Sequence, residues 1–206
     1  MIDFQETKQE LLPSCFFDII AIGASRDGIK AITKIISELP VGFPVPIVIV
    51  EHLSPEYQSY LAEIFARRTK LTVKQAENGE QLQAGVVYIA VPNYHLLVNQ
   101  DHSLCFSESA KEHFVRPAVN VLFVSVAEIY QQRAIAIILT GGDSDGAAGV
   151  QAIKKMGGIV IAQDEATSTA FGMPSAAINT GCVDFILPID KIAEAIVNLV
   201  NKGVIA

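Results

Sequence analysis

Three residues in this chain have types that could be combined into nucleophilic chemistry: Ser25, His52 and Asp145. Ser25 sits in Gly23-Ala-Ser-Arg-Asp-Gly28, where the apolar run Phe17 to Ile22 breaks and a helical pattern begins. A serine hydroxyl is inert near neutral pH. It becomes a nucleophile only with a base within hydrogen-bond reach, and that base needs an acid to orient it. His52 follows the apolar run Pro46 to Val50, and an ordinary imidazole pKa of about 6.5 suits proton transfer near neutrality. Asp145 lies in Thr140-Gly-Gly-Asp-Ser-Asp-Gly146, after a third run, Ala134 to Leu139. If the three runs are neighbouring parallel strands, all three side chains project from one sheet edge, where α/β proteins place their sites. Each residue also has a plainer reading: Ser25 and Asp145 as helix caps, His52 as a satisfied polar residue.

A second chemistry competes for the same turn. Gly23 to Gly28 nearly fits the dinucleotide fingerprint G-x-G-x-x-G, and Glu51 ends the second run about where a ribose-binding acid belongs. Ser25 stands where that fingerprint needs its second glycine. The helix starting near Gly28 offers orphan N–H groups and a positive dipole end to an oxyanion or a phosphate alike. Asp143 and Asp145 could hold a magnesium ion beside a phosphate, but no P-loop accompanies them. His95, His102 and His113 lack metal-ligand spacing with each other or with the cysteines. No cofactor and no metal are therefore expected. The loop Thr169-Ala-Phe-Gly-Met-Pro174 is a further break at the same edge and would wall the pocket through Met173.

These residues need elements to hold them. Short β-rich runs alternate with helical stretches, the pattern of a doubly wound α/β fold with a mostly parallel sheet and helices on both faces. The strand candidates are Phe17 to Ile22, Pro46 to Val50, Ala134 to Leu139, Ile159 to Ala162 and Phe185 to Leu187, each apolar throughout as buried parallel strands must be. Ile29, Ile32, Ile35, Ile36 and Leu39 recur at helical spacing before Pro40 stops them. Further helices are expected over Tyr57 to Arg68, Ala118 to Tyr130, Ala147 to Met156 and Lys191 to Val200, with a short one after Pro174. Residues 71–106 contain short runs separated by turn residues and read as a small antiparallel hairpin insertion.

Composition narrows the partners. The 206 residues are half apolar and 18% charged, enough for one large domain with a substantial core. A net charge of −7 with no basic run beyond Arg67-Arg68 argues against nucleic acid. Three widely spaced cysteines, Cys15, Cys105 and Cys182, fit reduced thiols in a cytoplasmic protein. No apolar stretch approaches the ~18 residues of a membrane span, and the N-terminus lacks the pattern of a secretory signal. Residues 1–16 read as a loose leader and 17–206 as a single domain.

Taken in order, IIAIGAS with Gly28, PIVIVEHL, AGVVYIAVPNYHLLV, RPAVNVLF, LTGGDSDGAAGV, FGMPSAAI and GCVDFILPID run from about Phe17 to Val197. This series resembles the catalytic domain of the bacterial chemotaxis protein-glutamate methylesterases of the CheB family. The resemblance implies Ser25 as nucleophile, His52 as base and Asp145 as its orienting acid. It implies hydrolysis of γ-glutamyl methyl esters on the cytoplasmic helices of chemoreceptors, sometimes with glutamine deamidation. Full-length members carry a receiver domain, for which this chain leaves no room, so a receiver supplied by another protein is the corresponding expectation. Two positions depart from the family pattern. Arg26-Asp27 replaces Thr-Gly or Ala-Gly after the serine, and Gly142-Asp143 replaces Met-Gly or Thr-Gly in the loop whose backbone N–H groups face the oxyanion. An inward carboxylate at 143 would oppose an oxyanion, and one lost donor costs about 10²–10³ in rate. The alternative reading is a receptor-binding signalling module of the same fold with a weakened site. A dinucleotide-binding enzyme comes third.

Overall fold

The computed structural model describes residues 17–52 and 60–202. The expected leader over residues 1–16, and the first part of the helix expected from Tyr57, lie outside the described residues. In chain order the elements are β1 (Ile19–Ala24), α1 (Gly28–Glu38), β2 (Ile47–Glu51), α2 (Leu61–Ala66), β3 (Thr72–Gln75), β4 (Val86–Ile89), β5 (His95–Val98) and β6 (Leu104–Ser107). There follow α3 (Val119–Tyr130), β7 (Ala134–Ile138), α4 (Ala147–Lys155), β8 (Ile159–Gln163), α5 (Gly172–Asn179), β9 (Phe185–Leu187) and α6 (Ile189–Lys202).

Seven strands form one parallel sheet in the order β3-β4-β2-β1-β7-β8-β9. From β1 the chain places β2 beside it, goes out to the edge for β3, comes back to insert β4 between β3 and β2, and then lays β7 against the other side of β1. Winding direction therefore reverses at the β1–β7 pair, and the crevice beyond the carboxyl ends of these strands is where such sheets bind ligands. β1, β2, β7 and β8 are buried along their whole length, which explains their lack of polar alternation. Successive β1 residues serve opposite layers: Ile20, Ile22 and Ala24 belong to the core shared with α1, α2 and α6, whereas Ile19 and Ala21 belong to the core shared with α3, α4 and α5. The isoleucine stripe of α1 buries Ile32, Ile35 and Ile36 completely, each contributing roughly 1.5–3 kcal/mol. Its end at Leu39, in extended conformation, is the one a following proline imposes.

The hairpin insertion is narrower than the sequence pattern suggested. Only β5 and β6 pair antiparallel, whereas β3 and β4 join the main sheet as parallel strands. Their brevity and the turn residues between them hid this, since a parallel connection here runs through a loop rather than a helix. The hairpin packs on α3, with Ser125 Oγ accepting the Val98 N–H at 3.1 Å. Covered by hairpin and sheet, α3 is apolar nearly all round. Its start also presses on β1: a Cβ at Gly23 would stand 2.3 Å from Val119 Cγ1, so only glycine allows this approach.

Candidate active site

Three carboxyl-end turns meet at the crevice. Ser25 follows β1, and its backbone N–H donates to Thr140 O at 3.0 Å, tying the turn to the loop after β7. His52 follows β2, its backbone N–H donating to Ala24 O at 3.1 Å. Asp145 lies in the loop between β7 and α4 and is completely buried. Ser25 does not cap α1. The N-cap is Asp27, in left-handed conformation and ion-paired to Lys30 at 2.9 Å, while Ser25 contributes only its carbonyl to the Gly28 N–H at 2.7 Å.

The acid and the base meet directly. His52 Nε2 lies 2.8 Å from Asp145 Oδ2, and because a carboxylate only accepts, this nitrogen carries the proton. Asp145 also accepts the Val119 N–H at 2.6 Å and the Asn120 N–H at 2.9 Å. The carboxylate thus sits on the N-terminus of α3, where orphan donors and the helix dipole favour negative charge. It is a helix cap after all, but of α3 and not of the α4 that follows it. Asn120 returns the arrangement, its Oδ1 accepting the N–H groups of Gly146 and Gly149 at the start of α4, both at 2.9 Å. Its Nδ2 donates to Glu112 Oε1 at 2.7 Å.

The other face of His52 meets the second acid of the same loop. Asp143 Oδ1 accepts the Asp145 N–H at 2.9 Å and its Oδ2 lies 3.4 Å from His52 Nδ1. That separation makes an ion pair and not a hydrogen bond, and Nδ1, buried, has no hydrogen-bond partner among the described residues. Ser25 Oγ is not bonded to the ring in this structure. Burial disfavours a charged imidazole here, but Asp143 and Asp145 outweigh it and raise the His52 pKa to about 9. His52 in turn holds the Asp143 carboxyl below its usual range.

The remaining candidates fall around this pair. Arg26 is exposed, its carbonyl accepting from Thr140 Oγ1 at 3.0 Å. At Gly142 no atom of the described residues lies within 4 Å of where a Cβ would stand, while its carbonyl side packs against Gly172. Met173 is fully buried on Gly141, its sulfur filling the position of an absent Cβ, with Ser25 Cβ alongside. Glu51 does not reach a ligand position. It is buried, its Oε2 packed against Gly28 and without a hydrogen-bond partner among the described residues, and burial pushes its pKa up to about 8 although the neighbouring His52 pulls the other way. A ribose-binding acid has to be accessible, so this placement removes support from the dinucleotide reading. His95 is a satisfied core histidine, accepting the Ala118 N–H at 3.2 Å and donating to Ala110 O at 3.0 Å. Glu112, His113 and Asp145 bring ligand atoms within 4.8 Å of one another, but both Asp145 oxygens already accept hydrogen bonds, a poor set for a cation. Asn120 escaped the sequence reading although its motif, RPAVNVLF, was visible, because a cap between two distant helices has no local spacing.

Sheet and site together define a class: a doubly wound α/β protein with serine, histidine and aspartate gathered at the switch-point edge, the composition of an acyl-transfer site. The family model described as CheB methylesterase matches residues 20–196, and the chain belongs to the CheB methylesterase family. A Leptospira interrogans relative is 39% identical over 89% of this chain and 95% of its own length. A Thermotoga maritima protein named protein-glutamate methylesterase/protein-glutamine glutaminase is 41% identical over 91% of this chain and 56% of its own. The crystal structure of the Thermotoga maritima CheB methylesterase catalytic domain superposes with a TM-score of 0.87 at 41% identity, covering 89% of this chain and 99% of that one. The curated relatives' shared activity is that of a carboxylic ester hydrolase. Among the described residues no helix is long and apolar enough to cross a membrane.

Proposed function

We propose that this chain hydrolyses γ-glutamyl methyl esters on the cytoplasmic helices of chemoreceptors, with Ser25 as nucleophile, His52 as base and Asp145 as the residue that orients His52. The observation that carries the reading is the 2.8 Å contact between His52 and the buried Asp145 at the edge where Ser25 emerges. His52 Nδ1 takes the proton as Ser25 Oγ attacks the ester carbonyl. The tetrahedral intermediate places its negative oxygen toward the backbone N–H groups of the loop at Gly142. The imidazolium gives its proton to the methoxy oxygen as the bond to the acyl carbon breaks, methanol leaves, and water activated by the same nitrogen releases glutamate from the acyl-enzyme. No step calls for a metal or cofactor.

The test is release of methanol from methylated receptor by wild-type protein and by Ser25→Ala. The variant is expected to keep the fold and lose turnover; methanol release at the wild-type rate would remove Ser25 as nucleophile. Wild-type protein that binds receptor helices at every pH without releasing methanol would favour the receptor-binding module.

A further inference from the structure

A histidine base can serve a serine only through a nitrogen that is bare and turned toward the hydroxyl. In this site one ring nitrogen is committed to Asp145 at 2.8 Å, so the serine must be met by Nδ1, and Nδ1 faces the Asp143 carboxylate at 3.4 Å. Both groups facing the ring nitrogens are acceptors. An unprotonated Nδ1 would lie beside a negative oxygen with no positive charge to answer it, so proximity alone favours the ring with both nitrogens protonated. Asp143 has a single backbone anchor, its second oxygen accepting the Asp145 N–H at 2.9 Å. The motif is Asp-Ser-Asp: of two carboxylates two residues apart on one loop, one is hydrogen-bonded to Nε2 and the other stands beside Nδ1.

We propose that Asp143 is a positioning residue that competes with Ser25 for His52 Nδ1, so that the resting site holds its base in the protonated form and becomes competent when the Asp143 carboxylate moves off the ring. This deepens the methylesterase reading and rests on it for the identity of the base. The side chain is free enough for such a movement, being 37% exposed, whereas Asp145 is 0% exposed and His52 only 7%. The two acids on the loop therefore divide the work. Asp145 is fixed by α3, and Asp143 is the one able to release.

The surroundings of His52 are consistent with this division. On its own strand Glu51 is buried and, with its pKa near 8, largely uncharged at neutrality, so it does not counter the pair from that side. From the turn before α3, Glu112 and His113 approach Asp145, and His113 acts on Asp143 by charge. On the β1–α1 turn Arg26 is exposed to solvent. With the His52 pKa near 9, only a few per cent of the ring is neutral at pH about 7.5, and a first unit of downward shift raises that fraction nearly tenfold, about a factor of eight.

The experiment compares wild type with Asp143→Asn, which keeps an oxygen for the Asp145 N–H and removes the charge, and with Asp143→Gly. Two readouts are used: the imidazole titration of His52 by nuclear magnetic resonance, and the rate of Ser25 labelling by a fluorophosphonate against pH. Both variants are expected to move the His52 midpoint and the labelling profile downward together by about a unit, with labelling at neutral pH rising roughly tenfold. Unmoved midpoints and profiles in either folded variant overturn the inference, and so does a lower labelling rate at neutral pH. Neither readout needs the receptor substrate. A protein whose Ser25 labels as expected but releases no methanol would therefore sink the proposed substrate and leave the role of Asp143 standing.

Discussion

At the scale of single residues the site is a contest over one imidazole and one buried acid. Asp145 serves three donors, so its replacement has two effects. Asp145→Asn is expected to lower stability by about 1.5–3 kcal/mol, the range for hydrogen bonds to a charged group, seen as a lower urea midpoint at unchanged slope. It also leaves His52 without its orienting charge, so Ser25 labelling should collapse under conditions where the variant is still folded. Glu51 provides a separate test. Its pKa is raised from 4.5 to about 8 by burial, so the folded state holds a proton that the unfolded chain releases earlier. Its contribution therefore falls as pH rises through this window. Glu51→Gln should raise the melting temperature at pH about 9 and leave it near wild type at pH about 4.5; equal shifts at both would show that the carboxyl is not the buried acid described.

At the scale of elements, two helices hold each other's ends. Asp145, from the loop entering α4, caps α3, and Asn120, from the first turn of α3, caps α4. Asn120→Ala strands the Gly146 and Gly149 N–H groups in a buried setting. It should cost about 1–3 kcal/mol, measured by denaturant unfolding, and it should broaden the His52 resonance by loosening the Asp145 loop. Gly23→Ala acts on the same joint from below, because its methyl would drive Val119 off β1. A loss of about 1–3 kcal/mol is expected from such overpacking, with a parallel fall in Ser25 labelling.

This joint marks where sequence reading stopped. The strands around the site were legible because fully buried runs such as Ile19–Ala24 and Ala134–Ile138 have no polar alternation to confuse them. β3 and β4 were misplaced because four-residue strands carry little pattern, and their partners are set by tertiary packing. Ser25, His52 and Asp145 could be named from their positions at strand ends. The direction of the Asp143 side chain could not, since both solvent and ring were open to it and only the assembled loop decides between them.

At the scale of the whole molecule, pH is the variable that links these parts. His52 has its pKa raised from 6.5 to about 9, so its stabilising pairs are fully present below the unfolded value and are lost as pH climbs through the folded one. Glu51 contributes in the same direction. Both groups therefore make the folded protein weaker in alkali, just where the neutral imidazole needed for catalysis becomes abundant. Calorimetry from pH about 6 to pH about 9.5 should show a falling melting temperature, while Ser25 labelling rises over the same interval. Asp143→Asn is expected to flatten the fall in melting temperature and to displace the rise in labelling to lower pH, and a melting temperature that climbs toward alkaline pH would contradict the assignment. The double duty of Asp145 has a different kind of consequence, for how related sequences are to be read. A descendant that gave up hydrolysis would be free to exchange Ser25, which α1 does not need as a cap, yet would still need an anion at the start of α3. Aspartate at this position is thus a mark of the fold's ancestry, and the serine is the residue by which a working enzyme is to be told from an inactive cousin.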